Sequence, residues 1–251
     1  LYARTDRFYL KEFEADTNTN VAVLLDISPS MRFGSGAMTK LDYARALAAS
    51  LLWFSNRQRD RVGLVTFDTD VVDYVPCSAK HLQVALQVLQ RQGSGVRDQG
   101  SGGALINQGS TRPLAPPLAP LEKVADDFRR RGILIVISDL YDEPERVAAA
   151  VGRLRGRGSD VIVMHVLDRA ELDFPYDEET SFRDLESGER MPVVSEQMRE
   201  QYRAMVAAHI EELRRLMRER GFDYLLVDTS RPLDIALFDY LAGRQRLARV
   251  R

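Results

Sequence analysis

Five oxygen-bearing side chains stand where they could hold a cation. Asp26, Ser28 and Ser30 form D-x-S-x-S at the end of the apolar run Val21–Asp26 (VAVLLD). One carboxylate and two hydroxyls spaced by two point the same way from a tight loop, and Pro29 stiffens the turn between the serines. Asp139 ends a second apolar run, Ile133–Ser138 (ILIVIS), and Thr111 closes a Gly-, Ser- and Pro-rich stretch. All five are hard oxygen donors, which suit a divalent cation such as Mg²⁺, with Mn²⁺ or Ca²⁺ as alternatives. Asp26 and Asp139 together balance a 2+ charge. If Asp139 acts through water, the inner shell stays electron-poor and an open position favours a carboxylate from a partner.

These residues need a scaffold that brings distant stretches together. Val21–Asp26, Val62–Phe67, Ile133–Ser138, Val161–Val166 and Asp223–Val227 are short apolar runs of the kind that form parallel strands buried on both faces. Val71–Val75 reads as an antiparallel edge strand, and Arg7–Phe13 alternates like a further one. Apolar residues at helical spacing lie between the runs. Leu41, Ala44, Leu47, Ala48, Leu51 and Leu52 follow a Thr39 cap, and Leu82 to Leu89 mark a second helix. Leu121 to Phe128, Val147 to Leu154, Met198 to Met217 and about Leu233 to Leu247 mark four more.

Alternating strands and helices imply an α/β, doubly wound, mostly parallel sheet with helices on both faces. In such a sheet ligands bind beyond the carboxyl ends of the strands, where the strand order reverses. The first and fourth strands are neighbours there, so Asp26, Ser28, Ser30, Thr111 and Asp139 can share one crevice. Residues 1–19 read as an N-terminal extension, and 20–251 as one domain with an acidic insertion at about 168–194. That insertion carries hairpin signals around Ser187-Gly188. Leu1 in place of Met is expected of part of a longer protein.

Composition narrows the function classes. The 251 residues carry 35 basic and 37 acidic side chains, a net charge of −2. This balance gives no case for nucleic acid or an anionic membrane as partner. A single cysteine, Cys77, excludes an internal disulfide and a thiolate cluster and fits a cytoplasmic setting. No apolar run reaches the length of a membrane span. The P-loop, G-x-G-x-x-G and Gly-x-Ser-x-Gly patterns are absent. Asp68 and Asp70 read as turn residues, Asp42 as a dipole-favoured first-turn acid, and His165 as a core histidine.

With the D-x-S-x-S loop, a threonine and an aspartate after the fourth strand, the chain resembles the metal-ion-dependent adhesion site of von Willebrand factor A domains. It is similar over nearly its whole length to a bacterial family known as domain of unknown function fifty-eight. The matching stretches are Arg4-Thr5 with Tyr9–Phe13, Leu41–Arg45, Asp60–Leu64, Ile137–Leu140, and Val166–Asp168 through Glu171–Pro175. The resemblance implies a non-enzymatic, Mg²⁺-dependent adaptor that works with a MoxR-type AAA+ ATPase. Asp26, Ser28, Ser30 and Thr111 would hold the metal, with Asp139 direct or through water. Arg112 stands where the family commonly has Asp after the threonine, so Ser110 or Thr39 are alternatives to Thr111. The rival class is a metal-dependent phosphoesterase or nuclease using Asp26 and Asp139. It would need Asp68 and Asp70 to make up the acids of a two-metal site.

Overall fold

The computed structural model describes residues 19–92, 120–121, 131–155, 158–175, 182–183, 190–191 and 196–235. Eight strands and five helices lie among them. The strands are β1 (Asn20–Asp26), β2 (Arg61–Phe67), β3 (Val71–Ser78), β4 (Gly132–Ser138), β5 (Asp160–Leu167), β6 (Phe182–Arg183), β7 (Arg190–Met191) and β8 (Asp223–Asp228). The helices are α1 (Lys40–Arg57), α2 (Leu82–Gln92), α3 (Pro144–Leu154), α4 (Arg169–Asp173) and α5 (Glu196–Glu219), with a 3₁₀ turn at Pro29–Arg32.

Six strands form one sheet in the order β3-β2-β1-β4-β5-β8, all parallel except β3, which runs antiparallel to β2. The chain turns back twice from β1, first outward through β2 to β3, then through β4 to β5 and β8. The reversal of strand order therefore falls between β1 and β4. The expected doubly wound sheet and its antiparallel edge strand are both present.

The unbroken apolar runs have a physical reason. Val21, Val23 and Leu25 pack on one face with Leu41, Ala44, Leu47 and Leu52 of α1 and Ala85 and Leu89 of α2. Ala22 and Leu24, alternating with them, pack on the other face with Val147 and Val151 of α3 and Leu213 and Met217 of α5. The four interior strands β2, β1, β4 and β5 are buried on both sides almost throughout and carry no polar face, whereas the edge strands β3 and β8 are partly exposed.

Helix ends follow the local chemistry. Thr39 accepts from Asp42 N at the start of α1, and Gly221 takes φ +70° just past α5. The region of about 168–194 contains a two-stranded hairpin, with Phe182 opposite Met191 and Arg183 opposite Arg190. Asp168, at the start of that region, caps α4, which lies within it. The expected edge strand Arg7–Phe13, most of the third expected helix and the sixth beyond residue 235 lie outside the described residues.

Candidate functional site

Asp26 ends β1 with both carboxylate oxygens engaged. Oδ1 accepts from Ser28 N at 2.9 Å, and Oδ2 accepts from the Ser138 hydroxyl at 2.6 Å. The second bond spans β1 and β4, where Leu25 and Ile137 are register partners. Only 3% of Asp26 is exposed. Burial first, and the nearby Asp139 charge second, push its pKa up to about 6. Among the described residues, no ion pair reaches the Asp26 carboxylate.

Beyond Asp26 the chain enters the 3₁₀ turn with Pro29 at its first position and Met31 fully buried as its anchor. This turn places the Ser28 and Ser30 hydroxyl oxygens 3.1 Å apart, both half-buried. The next residues, 34–38, form an exposed lip, closed at its base by Lys40 N donating to Phe33 O at 2.8 Å. Thr39, weighed as an alternative ligand, accepts from Asp42 N and donates to Asp42 Oδ2, so its hydroxyl serves the helix cap. Thr111, Ser110 and Arg112 lie outside the described residues. The site thus brings together Asp26, Ser28, Ser30 and Asp139.

Asp139 follows β4, in a bend whose next residue, Leu140, has φ 52°. A left-handed leucine costs roughly 1–2 kcal/mol. It is held by burial, by its N–H donating to Ser138 Oγ at 3.0 Å, and by its carbonyl near His209 Nε2 at 3.3 Å. Strain of this kind persists where the surroundings fix it, and here it falls on the residue directly after Asp139.

The sequence reading missed the cation already present. Lys40, fully buried at the first position of α1, donates to Asp139 Oδ2 at 2.8 Å and to Glu171 Oε1 at 2.7 Å. The Tyr141 ring centroid lies 4.8 Å from its Nζ. Burial alone would depress the ammonium, but Asp139 and Glu171 together outweigh it and hold its pKa above the ordinary lysine value. Glu171 uses its other oxygen, Oε2, to accept from Asp168 N at 2.8 Å. Asp168 accepts from Ala170 N at 2.9 Å, completing the capping box of α4. Its carboxylate also accepts from Ser35 N at 3.1 Å, from the Ser35 hydroxyl and from Thr229 Oγ1 at 3.2 Å. A continuous polar chain thus runs from Asp139 through Lys40, Glu171 and Asp168 to the lip. One signal for it was legible: a lysine at a helix N-terminus, where the dipole disfavours a cation, needs acids close by.

Asp68 and Asp70 form the β2–β3 turn, with Asp68 N donating to Asp70 O at 3.0 Å. Among the described residues, no group of three or more His, Cys, Asp and Glu side chains gathers to hold a metal. His165 is fully buried on β5, as read from its sequence context, with Nδ1 2.7 Å from Tyr224 Oη. Burial pushes the Cys77 thiol up to about 11, in keeping with an inert side chain. Among the described residues, no helix is long and apolar enough to cross a membrane.

The sheet order and its single antiparallel edge strand are those of a von Willebrand factor A-like fold. The chain belongs to the family described as "Protein of unknown function DUF58", whose profile matches residues 1–212. An uncharacterized protein of Mycobacterium tuberculosis is 23% identical over 258 residues, covering 97% of this chain and 73% of its own length. Among solved structures, the conserved hypothetical protein BatB from Bacteroides thetaiotaomicron aligns with a TM-score of 0.53 at 18% identity. That alignment covers 92% of this chain and 98% of BatB. An aerotolerance-related membrane protein from Bacteroides fragilis gives 0.49 at 21% identity, covering 84% and 92%. The SpRpn10 VWA domain gives 0.46 at 9% identity, covering 87% and 93%.

Proposed function

We propose that this chain is a divalent-cation-dependent protein-interaction domain, with the cation bound beyond the ends of β1 and β4. Its von Willebrand factor A-like fold suggests interaction with another protein. The observation that carries the metal reading is the donor set: Asp26 beside two hydroxyl oxygens 3.1 Å apart, with Asp139 close enough to raise its pKa. These residues fit a hard cation, since every donor is oxygen and, among the described residues, no ion pair reaches the buried Asp26. Asp26, Ser28 and Ser30 would hold Mg²⁺, with Asp139 beside them and Thr111 as the further candidate. When bound, the metal would supply an electrophilic position for an acidic side chain of the partner. The partner we propose is a MoxR-type AAA+ ATPase, a choice supported by the family resemblance.

The test is a Mg²⁺ titration of thermal stability in wild type and Asp26→Ala. A ligand at 100 times its Kd stabilises by about 2.7 kcal/mol. For a domain of this size that raises Tm by about 5–10 °C. A saturable rise confined to wild type supports the metal site; no rise in wild type counts against it. Capture of the ATPase by wild type, lost with chelator and in Asp26→Ala, supports the partner.

A further inference from the structure

The buried lysine beside the proposed cation site requires an explanation that stability does not give. A buried ion cluster gains little over an apolar one, because desolvation of the charges offsets their attraction. Lys40 also sits at the positive end of α1, where a cation is disfavoured. It is nevertheless fully buried and bonded at 2.8 Å to Asp139 and 2.7 Å to Glu171.

We propose that Lys40 is a positioning residue that withholds Asp139 from direct metal coordination, leaving the bound cation with positive charge for a partner's carboxylate. The inference rests on the metal reading above and deepens it. Charge arithmetic carries the argument. A divalent cation on Asp26 and two neutral hydroxyls keeps one unit of positive charge. Adding Asp139 as a direct ligand would cancel that unit. Lys40 instead occupies Oδ2 of Asp139 while sharing its one positive charge with Glu171, which keeps the Asp139 carboxylate in an ion cluster of its own rather than on the metal.

The lysine is not free to release Asp139. Glu171 grips it from the other side, and Glu171 is itself fixed by Asp168 N at 2.8 Å. Asp168 in turn is tied to Ser35 and Thr229. The brace that restrains Asp139 is therefore the same one that fixes the lip over which a partner would approach.

The experiment measures Mn²⁺ binding to the whole chain from the paramagnetic resonance signal of the free ion, with and without sodium acetate as carboxylate probe at constant ionic strength. The proteins are wild type, Asp26→Ala and the double variant Lys40→Met with Glu171→Gln, which leaves the net charge of the cluster unchanged. Wild type should bind Mn²⁺ in an Asp26-dependent way, and acetate should raise its affinity by about fivefold. In the double variant Asp139 is released, Mn²⁺ affinity should rise about tenfold, and the acetate response should vanish. A merely structural lysine would not produce tighter metal binding when removed.

If the double variant does not fold by circular dichroism, Lys40→Gln with Glu171→Gln keeps amide hydrogen bonds at both positions and should show the same two changes. A folded double variant with wild-type affinity and wild-type acetate response would overturn the role of Lys40 while leaving the metal site standing. Absence of Asp26-dependent Mn²⁺ binding in wild type would overturn both.

Discussion

The Ser138 hydroxyl donates to Asp26 Oδ2 across 2.6 Å, joining the ends of β1 and β4 at the point where the strand order reverses. The same oxygen accepts from Leu140 N at 3.0 Å, so one side chain orients both arms of the candidate site. Ser138→Ala leaves a buried carboxylate oxygen and a buried amide without that partner, each costing about 1–3 kcal/mol. Metal-free urea denaturation should show a loss of about 2–4 kcal/mol, with Ser138→Thr closer to wild type.

Two buried groups set opposing pH dependences. Burial first, and the His209 ring 6.1 Å away second, push the His165 pKa down to about 3, against the pull of Asp139. Below pH 6.5 the unfolded chain takes up a proton that native His165 refuses, so this group lowers stability as pH falls. Asp26, raised to about 6, keeps a proton in the native state that the unfolded chain has lost, so it raises stability as pH falls from 6 toward 3.8. Between pH 7 and pH 5, His165 costs about 2 kcal/mol and Asp26 returns about 1 kcal/mol. Asp26→Asn should therefore be more acid-labile than wild type. His165→Phe with Tyr224→Phe, which removes both partners of their hydrogen bond, should be less so. Chemical denaturation of metal-free protein at the two pH values checks both.

Gly132 opens β4 opposite Asn20 of β1, and a Cβ there would lie 2.3 Å from the Asn20 carbonyl oxygen. The obstruction is backbone, which cannot rotate away as a flexible side chain would. Gly132→Ala should cost about 1–3 kcal/mol in guanidinium denaturation.

Asp168 holds the lip through Ser35 and caps α4 through Ala170 N. Asp168→Ala should cost about 1 kcal/mol through the cap alone. It should also speed hydrogen exchange at residues 34–38 while leaving the central strand β1 protected. Equal acceleration in β1 and the lip would contradict a local tether.

The four central strands and the edge strand β8 were legible because each is a short apolar run, and a central strand buried on both faces needs nothing else. The helix α1 was legible from its leucine and alanine spacing after Thr39, and Asp26, Ser28 and Ser30 from their closeness in sequence. Lys40, Glu171, Asp168 and Ser138 were not singled out. Lys40 meets its partners across 99 and 131 residues of sequence, and Ser138 meets Asp26 across 112. Such pairs are made by the strand order rather than by local pattern. Ser138 was counted only as the end of an apolar run, although a hydroxyl closing an otherwise aliphatic strand needs a polar partner when buried.

The placement of Asp26 at the tip of β1 has a mechanical consequence. A partner pulling on the site would load β1 along its own axis, toward the end remote from Asn20. That strand is bonded over its length to β2 on one side and β4 on the other, both parallel to it. The load would be shared as shear across both ladders at once, rather than opening them one bond at a time from an edge. A pull on that end would thus meet two ladders, where the edge strand β8 has only one.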